Sequence, residues 1–193
     1  MHDIVFPKDN EKELISMAIK LGYNGVCLVY DSAGKLIKNK DLLKEIGLKL
    51  HFGLSYNSEK KIHDIVVARA SGKSRAILER KEADIIYDFE NSMRQDYIHH
   101  RASGLNHVLC DIARKNDVAV GFSVSSIINS QKKSVLLGRI KQNIRLCRKY
   151  KVRMVIGSFG SNPYEMRAVH DIISLFCLLG MHPSEAKKAL SYQ

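Results

Sequence analysis

The sequence predicts an α/β fold whose strands run mainly parallel, and three observations predict it. Strand-like and helix-like segments alternate from end to end, and parallel neighbours need crossover connections of that kind. Gly25-Val26-Cys27-Leu28-Val29-Tyr30 is almost wholly apolar, as in a strand covered on both faces. Seven strand candidates fit within about 160 residues, which suits either a closed barrel or an open doubly wound sheet. No Gly-rich phosphate-binding turn follows the first strand, which counts against a dinucleotide fold.

Each element has its own signal. His2 to Phe6 reads as a short strand. Lys8 to Leu21 reads as a helix, with Leu14, Met17, Ala18 and Leu21 on one face, acids in its first turns and Gly22 to stop it. After the strand Gly25–Tyr30 come a short helix from Asp41 to Ile46 and a third strand from Leu48 to Leu54. Asp64 to Arg69 is the fourth strand, Ser74 to Lys81 a helix, and Ala83 to Asp88 the fifth strand. Ser103 to Asn116 reads as a helix with an apolar face of Leu105, Val108, Leu109 and Ile112, capped by Ser103. Asp117 to Phe122 is the sixth strand, Ser134 to Tyr150 a long basic helix, and Val152 to Ile156 the seventh strand. Asp171 to Leu179 is an apolar helix stopped by Gly180, and a last short helix follows Pro183. Ser55–His63 and Asp88–Arg101 lack clear periodicity and read as loop and short helix. The whole of residues 1–193 is expected to form one domain.

Composition narrows the function classes. The formal net charge is +11, and 45% of residues are hydrophobic, too many for a disordered chain. No apolar run is long enough for a membrane-spanning helix. The first residues lack a basic head and apolar middle, so cytoplasmic residence is expected. Cys27, Cys110, Cys147 and Cys177 sit apart among apolar neighbours and read as free thiols rather than zinc ligands or disulfides.

The charge is unevenly placed. No acid occurs between Asp117 and Glu165, while nine cations do: Lys132, Lys133, Arg139, Lys141, Arg145, Arg148, Lys149, Lys151 and Arg153. A field of one sign suits a polyanionic partner, although a solvated helix face is the plainer alternative. In the long basic helix, Lys141, Arg145 and Arg148 fall at i, i+4 and i+7, and Ile140, Ile144 and Cys147 repeat that spacing one residue earlier. An apolar seam can therefore dock while a basic ridge faces phosphates. Arg139 and Lys149 are expected to widen that charged side.

Two further stretches bear on chemistry. Asp88 to Arg101 interleaves Arg94 and Arg101 with Tyr97, His99 and His100, a mixture that suits unpaired RNA, where bases stack and phosphates pair. A surface loop is the plainer reading. Asp31, Arg69, Asp88 and Glu90 fall at the carboxyl ends of strands, where barrels build active sites. Arg69 among acids suggests a paired ion cluster. A metal-dependent phosphoesterase would need His51, Asp88, Glu90 and one of His99 or His100 to converge. Gly121-Phe122-Ser123-Val124-Ser125 is not a nucleophile elbow, and no catalytic residue is assigned.

The segment Gly157-Ser158-Phe159-Gly160-Ser161-Asn162-Pro163-Tyr164-Glu165-Met166-Arg167, running into His170-Asp171-Ile172-Ile173 and Leu178-Leu179-Gly180-Met181, resembles the carboxy-terminal signature of the archaeal ribonuclease P protein component 3 family. Ser103-Gly104-Leu105-Asn106-His107-Val108-Leu109 and Asn143-Ile144-Arg145-Leu146-Cys147-Arg148-Lys149-Tyr150 are similar to two further family segments. Asn162 stands where the family usually has Ser, and Val169-His170 where a Pro-Arg pair is common.

The resemblance implies a seven-stranded, TIM-like barrel similar to the PHP phosphoesterases. It also implies a non-catalytic subunit of ribonuclease P that helps remove the 5′ leader of precursor tRNA. The RNase P RNA would hold the active site and its magnesium, and a second small RNase P protein would be a partner. The expected RNA contacts are Lys132, Lys133, Arg139, Lys141, Arg145, Arg148, Lys149 and Arg167, followed by Arg69, Arg94 and Arg101. No cofactor or metal is expected on the protein. The alternative is a metal-dependent phosphoesterase on the same barrel, and a third reading is a protein-interaction scaffold.

Overall fold

The computed structural model describes residues 1–42, 48–56 and 65–191, apart from the side chains of 38–42. Seven parallel strands follow one another around one sheet: β1 (His2–Val5), β2 (Gly25–Tyr30), β3 (Lys49–Ser55), β4 (Ile65–Arg69), β5 (Ile85–Tyr87), β6 (Ala119–Ser123) and β7 (Met154–Gly157). The register steps evenly, as in Ile4 to Cys27 to His51. Beyond β7 the chain returns to β1. The Phe159 N–H donates to the Ile4 carbonyl at 2.7 Å, the Phe6 N–H donates to Gly160 at 2.8 Å, and Val5 bridges Gly160 in parallel. These bonds close the barrel where a doubly wound sheet would stay open.

The period of two along each strand sorts the core into two parts. Ile4, Cys27, Val29, Ile65, Val67, Ile85, Ala119, Val155 and Phe159 fill the barrel interior. Val5, Val26, Leu28, Leu54, Ala68, Ile86, Val120 and Ile156 face outward and meet the helices. Gly25–Tyr30 is therefore buried at all six positions, as its composition predicts.

The helices are α1 (Glu11–Lys20), α2 (Ala33–Leu42), α3 (Ser74–Glu79), α4 (His107–Lys115), α5 (Val124–Asn129), α6 (Lys133–Tyr150), α7 (Val169–Leu178) and α8 (Pro183–Ala189). A 3-10 turn spans Pro163–Glu165. Several expectations shift. The helix expected from Lys8 begins only after Asn10, because Asp9 adopts φ 59, outside helical space. The helix expected over Asp41–Ile46 overlaps only the end of α2, and residues 43–47 lie outside the described residues, as do His63 and Asp64. Asn106, not Ser103, caps α4 by accepting the Leu109 N–H at 2.9 Å. The α4 face also rotates, burying Cys110 and Ala113 while Val108 is exposed. Helix α5 has no counterpart among the expected elements. It follows β6 directly, with Ser123 accepting the Ser126 N–H.

Cys27, Cys110 and Cys147 are buried free thiols, and Cys177 is half-buried. No described helix is long and apolar enough to cross a membrane.

Candidate nucleic-acid interface

Parallel barrels carry chemistry at the carboxyl ends of their strands, and in this chain that mouth is filled with rings. Tyr87 stacks on Phe159 with centroids 4.6 Å apart and planes 11° apart, and Phe6 tilts against Tyr87 at 5.7 Å. Gly121 makes the room. A Cβ there would lie 2.8 Å from the Tyr87 Cβ and 3.1 Å from the Phe159 ring. Burial pushes the Tyr87 hydroxyl up to about 12, so it stays protonated. Above the rings lies an open cavity of about 850 Å³ rimmed by Lys8, Arg69, Arg94 and Lys132 as well as Asp88, Glu90 and Glu165.

The acids of the mouth are largely committed. Arg69 grips one oxygen of buried Asp88 through Nε at 3.0 Å and Nη2 at 2.8 Å. This is the paired cluster that the sequence suggests. Glu90 is fully buried, and desolvation, with Asp88 nearby, pushes its carboxyl up to about 8. Glu90 Oε1 and Asn143 Oδ1 are both buried acceptors with no donor. A proton on Glu90 supplies the donor the cluster lacks, which agrees with that shift.

His51 does not join them. It sits early in β3, beside the first residues of the barrel, with its ring 5.0 Å from that of His2. Asp88 and Glu90 lie at the opposite, carboxyl end, and His99 and His100 are on the exposed surface. The constellation required by a metal-dependent phosphoesterase is thus not assembled. Among the described residues, no three His, Cys, Asp or Glu side chains converge to hold a metal ion.

The basic helix α6 does two jobs on two faces. Leu136, Arg139, Ile140, Asn143, Ile144 and Cys147 are its buried side. Arg139, expected on the charged face, lies instead on the buried side. Its side chain is only 7% exposed, and its guanidinium points into the preceding loop. Nε donates to Asp96 Oδ1 at 2.8 Å, Nη1 donates to the carbonyls of Glu90 and Ser92 at 3.1 and 2.6 Å, and Nη2 donates to that of Arg94. One side chain therefore gathers four acceptors and shapes the loop from Asp88 to Arg101. Asp96 adds a bond from the Ala102 N–H, while Gln142 binds both backbone groups of Arg101 and the hydroxyl of Ser103.

The outer face of α6 carries the field. Lys132, Lys133, Lys141, Arg145 and Lys149 are exposed, and none has a salt-bridge partner among the described residues. Lys149 lies over the Tyr150 ring at 5.6 Å. Arg148 differs: Nε and Nη2 clasp both oxygens of Glu185, and Nη2 also reaches the Gly180 carbonyl at 2.6 Å. Arg153 pairs with Asp117 at 3.4 Å. Arg94 is exposed, and Arg101 pairs with Asp96 at 3.2 Å.

The carboxy-terminal signature segment is held by capping. Asn162 accepts the Tyr164 N–H at 3.0 Å, so Asn serves where Ser is usual, and Glu165 accepts the N–H groups of Ser161 and Asn162. Arg167 is exposed, with Nη1 donating to the carbonyls of Tyr164 and Met166 at 2.8 and 2.7 Å. Buried Asp3 locks the segment to β1 by accepting the Ser158 N–H and hydroxyl, both at 2.6 Å. Desolvation pushes the Asp3 carboxyl up to about 6.

Fold and site together define a TIM-like parallel (β/α) barrel whose mouth is floored by aromatic rings and whose cations without a salt-bridge partner among the described residues stand on an outer helix. A family model described as RNase P subunit p30 matches residues 53–193. Ribonuclease P protein component 3 of Methanococcoides burtonii is 31% identical over 207 residues, covering 99% of this chain and 82% of that protein. The corresponding protein of Methanosarcina mazei is 29% identical, covering 93% and 79%. This chain belongs to the RNase P subunit p30 family.

Solved structures agree on the fold. A chain in a cryo-EM structure of archaeal ribonuclease P with mature tRNA superposes with a TM-score of 0.80 at 21% identity, covering 99% of this chain and 87% of that one. Histidinol phosphate phosphatase from Lactococcus lactis superposes with a TM-score of 0.63 at 8% identity, covering 94% of both chains. The barrel is thus shared with a PHP-type phosphatase, as the sequence resemblance implies.

Proposed function

We propose that this chain is a non-catalytic, RNA-binding subunit of ribonuclease P, acting in removal of the 5′ leader from precursor tRNA. One observation carries the proposal: the floor of the barrel mouth, where barrels perform chemistry, is laid with Phe6, Tyr87 and Phe159, while Lys141 and Arg145 stand outside with no salt-bridge partner among the described residues. Family membership supports it independently. A compact RNA is opposed by repulsion between its phosphates. Fixed cations on a rigid helix lower that repulsion and raise a rate without a catalytic side chain.

Lys132, Lys133, Lys141, Arg145 and Lys149 are the leading RNA contacts, joined by Arg94 and by Arg101, whose guanidinium gives Nη1 to Asp96 and lines the same groove as Lys141 and Arg145. Arg148, Arg167 and Arg69 already donate to the protein and contribute less. Arg139 acts from inside as a positioning residue. The RNase P RNA is the partner that holds magnesium, a second small protein subunit completes the assembly, and the cytoplasm is its place of work.

The test is reconstitution of precursor-tRNA cleavage from the cognate RNA and proteins, with and without this chain, across magnesium concentration. The magnesium requirement is expected to fall when the chain is present. If about five phosphates are engaged, log affinity for the RNA falls with log salt at a slope near −4. Replacing Lys141 and Arg145 together with Ala is expected to flatten that slope by about 2 while the fold survives. An unchanged magnesium profile, or turnover by the isolated chain with added manganese or zinc, overturns the proposal.

A further inference from the structure

We propose that the outer face of α6 and the tip of the Asp88–Arg101 loop together form a site for one unpaired RNA nucleotide, its phosphate on the helix and its base on the loop. This deepens the RNA-binding reading given above and rests on it.

The phosphate half is a groove of about 320 Å³ lined by Arg101, Gly138, Lys141, Gln142 and Arg145. Three cations thus converge from two elements that lie far apart in sequence. Gly138 is what lets them meet. Arg101 lies across the helix at that point, and a Cβ on residue 138 would stand 2.4 Å from the Arg101 Cζ. Arg101 is preset by Asp96 and by two backbone bonds to Gln142 at 3.1 and 3.0 Å. A preorganised guanidinium loses little freedom on meeting a phosphate.

The base half begins one residue away. His100 stacks on Tyr97 with ring centroids 4.6 Å and planes 21° apart, and the turn is pinned by the Tyr97 N–H donating to the His100 carbonyl at 2.8 Å. Tyr97 is 60% exposed, and Ile98 next to it and Met93 earlier in the same loop are almost fully exposed. Large apolar side chains in a disordered loop would mean little. Here Arg139 holds the near side of the loop at Glu90, Ser92, Arg94 and Asp96, and Gln142 holds Arg101 on the far side, so the Tyr97–His100 tip is anchored at both ends. An aromatic platform adjoining fixed cations fits a base that is free to stack. A base paired within a helix keeps its faces covered.

Fluorescence anisotropy with a labelled single-stranded oligoribonucleotide of about eight nucleotides tests this, beside a duplex of the same sequence and a single strand bearing abasic sites. The parent is expected to favour the intact single strand over the duplex. Tyr97→Leu is expected to weaken single-strand binding about tenfold and to leave abasic and duplex binding unchanged. Gly138→Ala improves helix propensity, so this variant is expected to resist heat better than the parent while binding the single strand several-fold more weakly through the displaced Arg101. Equal affinity for single strand and duplex, or Tyr97→Leu acting equally on all three probes, overturns the site. Single-strand affinity equal to the parent's in Gly138→Ala removes its phosphate half. If the platform instead docks a protein subunit, Tyr97→Leu disrupts assembly of the reconstituted particle without touching oligonucleotide affinity. A parent that shows no single-strand preference while its magnesium effect is intact defeats this site and spares the subunit reading.

Discussion

Replacing Arg139 with Ala probes the most consequential contact in the structure. The guanidinium is almost fully buried and donates to the Asp96 carboxylate and to the carbonyls of Glu90, Ser92 and Arg94. Truncation leaves one carboxylate and three carbonyls short of a donor. Breaking a buried charged pair from one side costs about 3–5 kcal/mol. Asp96 keeps Arg101 and the Ala102 N–H and is partly open to water, so the lower end applies, about 3 kcal/mol. For a chain of this size the midpoint of thermal unfolding falls by about 6–12 °C. Urea denaturation measures the energy. Hydrogen exchange locates it: the amides of Tyr97, Arg101 and Ala102, now bonded, are expected to lose protection before the barrel strands do. Arg139→Lys is expected to recover little, because one ammonium cannot span four acceptors arranged as a fork. A cost under about 1 kcal/mol, with unchanged exchange in the loop, would refute the assignment of Arg139 as its organiser.

Other outcomes follow from the same geometry. Burial holds the Glu90 carboxyl near 8, so the folded protein keeps a proton that the unfolded chain releases near the ordinary carboxyl value. Stability from this group is therefore complete in acid and lost as pH rises through about 8, and Glu90→Gln is expected to overtake the parent by a few kcal/mol over that window in pH-dependent denaturation. Phe159→Ala empties the barrel mouth and is expected to cost about 3–5 kcal/mol in urea titrations. It is not expected to create phosphoesterase activity with added manganese. Arg148→Ala is expected to cost about 1 kcal/mol by loss of its two-pronged pair with Glu185, with a smaller effect on RNA affinity than Arg145→Ala. The complementary Glu185→Ala frees Arg148, and anisotropy is expected to show RNA binding at least as tight as the parent's.

Residue order by itself determined the alternation of elements, the parallel sheet and the doubly covered β2, because periodicity and apolar runs are local properties of a chain. It also determined family membership, and it placed most of the charge on one helix. The inward turn of Arg139 was partly legible: with Leu136, Ile140, Asn143 and Cys147 it follows the three-and-four spacing of the apolar seam. What hid it was the cost of burying a charge, which favours an outward reading until the partners are known. Those partners lie about 45 positions earlier in a stretch without periodicity. Only the tertiary structure decided three things: that Phe159 returns to Ile4 and closes the barrel, that His51 and Asp88 lie at opposite ends of it, and that Arg101 meets Lys141 and Arg145 over Gly138. Each depends on which distant segments come within a few ångströms of one another, and that follows from the packing of the whole chain.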